Sequence, residues 1–217
     1  ETLGKVRTVA FDKTGTLTVG KPQVTDILAA EGTDEDVLGK AAAVEHGSSH
    51  PLGLAIIAAA GARGIVAPQS FEASAVPGKA VIARLEEGWV SVGSPRYASE
   101  SNLLAGSLKE SVERLESEGK TVVIVAAKDR ALGLIALRDE PREDAADGIA
   151  RIKSLGLRAL MLTGDNRRTG EAIARRLGLE VQAELLPDAK LRVIAELKTL
   201  GPVAMVGDGI NDAPAMA

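Results

Sequence analysis

Three short apolar runs in this chain each end in an acidic, glycine-containing loop. Residues 6–11 lead into Asp12-Lys13-Thr14-Gly15-Thr16, and residues 157–162 lead into Thr163-Gly164-Asp165-Asn166. Residues 203–206 lead into Gly207-Asp208-Gly209-Ile210-Asn211-Asp212. A short continuous apolar run bounded by turn residues reads as a strand buried on both faces. Helical spacing separates the later runs: Ala145, Ile149 and Ile152; then Ala172, Ile173 and Leu177; then Leu191, Ile194, Ala195 and Lys198. Strict alternation of strand and helix implies a parallel sheet covered on both sides, with every strand's carboxyl end at one edge. Open sheets of this kind bind ligands at that edge. The chain is thereby expected to bring Asp12, Asp165, Asp208 and Asp212 together.

Between the first run and the alternating part the pattern changes. Residues 24–30 read as a strand, and a helical stretch from Asp34 ends near Gly47. Ser48-Ser49-His50-Pro51 is a helix-start signal, with a hydroxyl as the candidate cap and proline in the first turn. Leu52, Ala55, Ile56 and Ala59 then form an apolar stripe. Residues 81–83 and 89–92 flank Glu86-Glu87-Gly88 as a hairpin, with Trp89 expected in its core. Leu104, Leu108, Val112 and Leu115 mark another helix, and residues 121–127 and 132–137 read as strands around a Lys128-Asp129-Arg130 turn. The expected fold class is α/β: a Rossmann-like parallel-sheet domain of residues 1–22 and 132–217, interrupted by an α+β domain of residues 23–131.

Composition narrows the function. A net charge of −4 and 2% aromatic residues supply neither the basic surface nor the stacking platforms that nucleic acid needs. With zero cysteines there is no disulfide and no thiolate metal site. No apolar run approaches the length of a membrane helix. The chain starts on Glu1 and stops in Asp212-Ala213-Pro214-Ala215-Met216-Ala217, which reads as a piece of a longer polypeptide, itself monomeric.

Clustered carboxylates repel one another and are costly to hold together without a cation. Mg²⁺ suits them, because it takes hard oxygen ligands and commonly joins carboxylates to phosphate. Gly15 allows a sharp turn that aims backbone N–H groups at an anion, and Thr163 with the Gly164 backbone offers donors to phosphoryl oxygens. Lys190 supplies a fixed positive charge. Each piece alone has a plainer reading: Asp165 as a helix cap, Lys190 as a solvated helix residue. Together they suit phosphoryl transfer to a carboxylate nucleophile, Asp12.

Asp12-Lys13-Thr14-Gly15-Thr16-Leu17-Thr18, Thr163-Gly164-Asp165-Asn166 and Gly207-Asp208-Gly209-Ile210-Asn211-Asp212 resemble the three signature segments of the P-type ATPases. The likeness implies a haloacid-dehalogenase-like phosphorylation domain in which Asp12 is phosphorylated by ATP. It implies Mg²⁺ held by Asp12, the Thr14 carbonyl and Asp208, and phosphate held by Thr163, Gly164 and Lys190. Asp165, Asn211 and Asp212 would complete the site. The insert resembles the nucleotide-binding domain of the heavy-metal-transporting branch. Ser49-His50-Pro51-Leu52 matches its histidine-proline motif, and Glu45 matches its nucleotide-contacting glutamate. Gly78-Lys79-Ala80 matches its Gly-x-Gly loop, departing from it at Ala80. The resemblance implies membrane and actuator domains elsewhere in the full chain, at the cytoplasmic face of a membrane, and leans towards zinc, cadmium or lead over copper(I). A soluble phosphatase of the haloacid-dehalogenase superfamily is the competing reading. Such enzymes carry a second aspartate two positions after the nucleophile, where this chain has Thr14. A non-catalytic nucleotide-sensing module is a further alternative, opposed by the intact Asp12, Asp208 and Lys190.

Overall fold

Two sheets of different character divide the chain, and a computed structural model describes residues 5–207. Asp208, Asn211 and Asp212 lie outside the described residues. The first sheet is parallel. Strand β1 (Thr8–Asp12) is buried along its whole length. It pairs with β8 (Arg158–Leu162) on one side and β10 (Val203–Val206) on the other, and β9 (Glu180–Gln182) extends the β8 edge. Helices α5 (Ala145–Ser154), α6 (Arg167–Leu177) and α7 (Pro187–Leu200) connect these strands. Val9, Phe11 and Met161 face α5 and α6, whereas Ala10, Leu160 and Leu162 face α7, so every second residue of one strand serves each face.

The second sheet is antiparallel, in the order β2-β7-β6-β5-β4-β3. Its strands are β2 (Gln23–Ala29), β3 (Glu72–Val76), β4 (Ala80–Leu85), β5 (Gly88–Gly93), β6 (Thr121–Ala127) and β7 (Ala131–Arg138). Helices α1 (Asp34–Val44) and α2 (Pro51–Ala62) cover one face, burying Val37, Leu38 and Ile56 on Ala83, Val92 and Ile135. Helices α3 (Pro95–Glu100) and α4 (Gly106–Ser117) cover the other, burying Ala98 and Leu115 on Ile124 and Leu134.

Contacts group the chain into two units: residues 5–21, 117–119 and 139–207 in one, and 22–116 with 120–138 in the other. The return crossing therefore lies at Arg138/Asp139, not at 131/132. Residues 132–138 belong to β7, which pairs antiparallel with both β2 and β6. An apolar run buried on both faces reads alike in either kind of sheet, so its pattern alone does not assign it. Trp89 also departs from expectation. It sits opposite Arg84 in the β4–β5 hairpin and is 43% exposed, so it is no part of the hairpin core.

Candidate active site

In the parallel unit, β1 delivers Asp12 to the carboxyl end of the sheet with only 7% of its surface exposed. The ammonium of Lys190, in the first turn of α7, reaches to 2.5 Å from Asp12 Oδ1. Lys13 is as buried as its neighbour and pairs with Asp165 Oδ2 at 2.6 Å, as an ion pair and not a well-aligned hydrogen bond. Asp165 is thus no helix cap. The cap of α6 is Asn166, whose Oδ1 accepts from the Thr169 amide at 3.0 Å. Two lysines stand against two carboxylates where β1 and β8 end side by side. Removing either partner of such a buried pair typically costs about 3–5 kcal/mol.

Thr163 is 2% exposed, and its Oγ1 accepts from the Asp165 amide at 3.1 Å. Because that oxygen accepts, its own proton remains available to donate. Gly164 follows with little room beside it; a Cβ there would stand 3.3 Å from the Leu185 carbonyl. After Asp12 the chain makes one turn, Lys13–Leu17, in which Thr14 is extended and Gly15 takes φ +75°. The turn closes on itself where the Thr18 amide donates to the Lys13 carbonyl at 3.1 Å.

Two residues that sequence reasoning missed hold this loop. Arg142 Nη2 donates to the Gly15 carbonyl at 2.9 Å, and its own amide donates to the Leu17 carbonyl. The Asp139 carboxylate accepts from Thr18 Oγ1 at 2.5 Å, from the Gly20 amide at 2.9 Å and from the Lys21 amide at 3.1 Å. A weaker signal for Asp139 existed: it follows the apolar run 132–137, with Arg138 between.

In the antiparallel unit a cleft of about 620 Å³ opens between the α1–α2 connection and the ends of β3, β4 and β5. Glu45, His50, Gly78 and Ala80 all line it. Glu45 caps the end of α1 and is 6% exposed, yet its Oε2 has no hydrogen-bond partner. A buried acceptor in that state costs about 1–3 kcal/mol, more when charged. His50 is the N-cap of α2, its Nδ1 accepting from the Leu52 amide at 3.2 Å. The expected hydroxyl cap is therefore corrected: neither Ser48 nor Ser49 fills that position. Gly78 takes φ +68° in the turn between β3 and β4, with open space around it, so backbone conformation and not crowding calls for glycine. Ala80 pairs with Gly93 across the β4–β5 ladder, and its methyl sits where a Cβ on Gly93 would come within 2.9 Å. Val81, the next residue, packs on the α1–α2 core. The Ala80 methyl therefore points to the sheet face opposite α1 and α2, beside Tyr97.

The family model described as haloacid dehalogenase-like hydrolase matches residues 6–217. The chain belongs to the haloacid dehalogenase-like hydrolases. This hydrolase is 46% identical over its whole length to a zinc/cadmium/lead-transporting P-type ATPase of Escherichia coli, of which it covers 29%. It is 44% identical to a probable copper-exporting P-type ATPase V of Mycobacterium tuberculosis, with 98% of this chain matched against 28% of that one. The chain thus spans less than a third of the length of these relatives. Among solved structures, it resembles a zinc-transporting PIB-type ATPase in the E2.Pi state at TM-score 0.68 and 44% identity, covering 99% of this chain and 35% of that one. The catalytic CPx-ATPase domain CopB-B aligns at TM-score 0.74 and 27% identity, covering 99% of this hydrolase and 75% of its own chain. Among the described residues no helix is long and apolar enough to cross a membrane.

Proposed function

We propose that this chain is the ATP-binding and phosphorylation portion of a heavy-metal-transporting P-type ATPase, acting at the cytoplasmic face of a membrane. The observation that carries this reading is Asp12, a buried strand-end carboxylate with the Lys190 ammonium 2.5 Å away and the Lys13–Asp165 pair beside it. In the proposed step an Asp12 oxygen attacks the γ-phosphorus of ATP. The bond from phosphorus to the bridging oxygen breaks, and ADP leaves with that electron pair. Lys190 offsets the charge gathered on the transferring group, and the Thr163 hydroxyl and Gly164 amide donate to its oxygens. Thr14, standing where a soluble phosphatase has its acid/base aspartate, lacks a group to activate water. The acyl phosphate is then long-lived, as a pump requires.

Mg²⁺ fits the chemistry of these donors, which are hard oxygens. Asp12 and the Thr14 carbonyl would hold it together with Asp208. Among the described residues no cluster of three or more histidine, aspartate or glutamate side chains converges. When bound, the ion would neutralise charge between carboxylate and phosphate.

In the cleft, the Glu45 carboxylate accepts from the adenine amino group, the His50 imidazole lies against the base, and Gly78 and Ala80 lend their backbone to the opposite wall. Zinc, cadmium or lead is the favoured cargo, supported by the Ser49-His50-Pro51 sequence and the 46% identity to the Escherichia coli transporter. Copper(I) is the second reading, supported by the 44% identity to the mycobacterial protein. The remaining domains of the full-length pump are its partners.

Beryllium fluoride, an acyl-phosphate mimic, tests the nucleophile. In Mg²⁺ buffer it should bind the wild-type chain, as read by ¹⁹F NMR, and fail to bind Asp12→Asn. Equal binding to both would overturn the assignment.

A further inference from the structure

Helix α2 contains two glycines, Gly53 near its start and Gly61 near its end. Glycine is less favourable than alanine inside a helix, because it gives up more backbone freedom on folding. At Gly61 the surroundings give no reason for it, since a Cβ there would meet nothing within 4 Å. Gly53 is different. It is buried, and a Cβ there would stand 2.6 Å from Ser48 Oγ and 2.8 Å from Ser48 Cβ. It would also collide with Oε2 of Glu45. Those three atoms are the nearest to that position, and both residues belong to the connection between α1 and α2.

The backbone of that connection is held against yielding. The Ser48 amide donates to the Glu45 carbonyl at 2.8 Å, and Ser48 Oγ accepts from the His50 amide at 3.2 Å. Gly47, between them, takes φ +82°. Ser48 is thus tied to both ends of the turn. The Glu45 side chain is long and flexible, and its Oε2 has no hydrogen-bond partner. A methyl group at position 53 would therefore displace the Glu45 carboxylate first. Its present seat is the first turn of α2, where the positive end of the helix dipole favours a carboxylate. From that seat Glu45 lines the cleft.

We propose that Gly53 is a positioning residue for nucleotide selection. Its missing side chain seats the Glu45 carboxylate over the first turn of α2, and from there the carboxylate meets the exocyclic amino group of adenine. The assignment rests on the nucleotide reading of the cleft and adds what places the carboxylate in its wall. An acceptor discriminates between ligands only while it is held where the matching donor arrives. Displaced by a methyl group, Glu45 no longer tells ATP from a purine triphosphate that lacks the amino group.

The test titrates the full chain by calorimetry with ATP and with purine riboside triphosphate, which is ATP without its exocyclic amino group. The wild type should prefer ATP by about tenfold or more. Gly53→Ala should lose that preference by weakening ATP alone, whereas Gly61→Ala should keep it. In Glu45→Ala, adding Gly53→Ala should change ATP affinity by less than about twofold, since the group it acts through is gone. A larger further loss there would overturn the proposal. So would both triphosphates weakening together, or a Gly53→Ala chain that no longer melts cooperatively, because Gly53 would then serve only the packing of the turn. Wild-type preference retained in Gly53→Ala would overturn it as well. Equal affinity of the wild type for the two triphosphates would strike the Glu45 contact itself, and the proposal with it.

Discussion

In the parallel unit, the buried Asp12 carboxylate and the half-buried Asp165 carboxylate each lie against a lysine ammonium, at 2.5 and 2.6 Å. In the antiparallel unit, Glu45 lines a cleft, and its buried Oε2 meets no donor. The first pairs charges within the protein itself, and on the proposed nucleotide reading the second is completed by a ligand. Charges held in place by their own protein cost little reorganisation when a phosphoryl group is transferred. A buried acceptor left open is instead a source of selectivity, since a ligand that lacks the matching donor leaves the penalty unrelieved. Breaking an ion pair of the first unit should therefore cost stability, with loss of the Asp12 carboxylate also ending the chemistry, and changes at Glu45 should appear mainly as affinity.

The comparison presumes two units with separate cores, and excision offers the largest expected effect. A piece of residues 22–138 should fold cooperatively by circular dichroism and thermal melting. A piece of residues 22–131 should not, because it lacks most of β7, whose Leu134, Ile135, Ala136 and Leu137 are at most 1% exposed. A cooperative transition in the shorter piece would show that β7 is dispensable.

Next in size, Lys13→Met leaves Asp165 without its cation and should lower urea stability by about 3 kcal/mol. Glu45→Gln, which neutralises a carboxylate lacking a donor at Oε2, should leave stability unchanged or raised. Equal losses in the two variants would erase the distinction between the sites.

Asp26 supplies a control within the antiparallel unit, where a carboxylate is paired. Burial alone would raise its carboxyl, but hydrogen bonds from Lys120 and Thr25 outweigh that and hold it below the ordinary carboxylate range. A depressed value in the folded state stabilises above the unfolded value and is lost as pH falls through the acid range. Asp26→Asn should therefore cost about 1 kcal/mol or less at neutral pH and make stability less steep in acid. An unchanged acid slope would remove the pair from the account.

The smallest effect is expected at Ala80→Gly. The Ala80 methyl lies beside Gly93 and Tyr97, on the sheet face away from α1 and α2, so ATP affinity should change less than about twofold. A large gain in affinity by calorimetry would mean that the methyl does obstruct the cleft.

The strand-end aspartates were the legible part of this molecule. Asp12 and Asp165 follow apolar runs too short and too apolar for anything but buried strands, and their elements lie as adjacent parallel partners. Glu45 and His50 were legible as a helix end and a helix start. What the imidazole does there was not, because serine is the commoner cap, and only the start of α2 at Pro51 makes His50 the N-cap. Residues 132–138 read in sequence like a strand of the parallel sheet yet pair antiparallel with β2 and β6, since the pattern of a fully buried strand carries no record of its partners' direction. Arg142 and Asp139 act through backbone groups of a distant loop, and such contacts leave no periodicity in sequence.

Acid-quenched phosphoenzyme, formed with γ-labelled ATP over a range of concentrations, tests the division of labour most directly. The account predicts hydroxylamine-labile label in the wild type and none in Asp12→Asn at any concentration. In Glu45→Ala it predicts full label, reached only at ATP concentrations about tenfold or more above those the wild type needs. Label persisting in Asp12→Asn, or Glu45→Ala labelled like the wild type at low ATP, would contradict it.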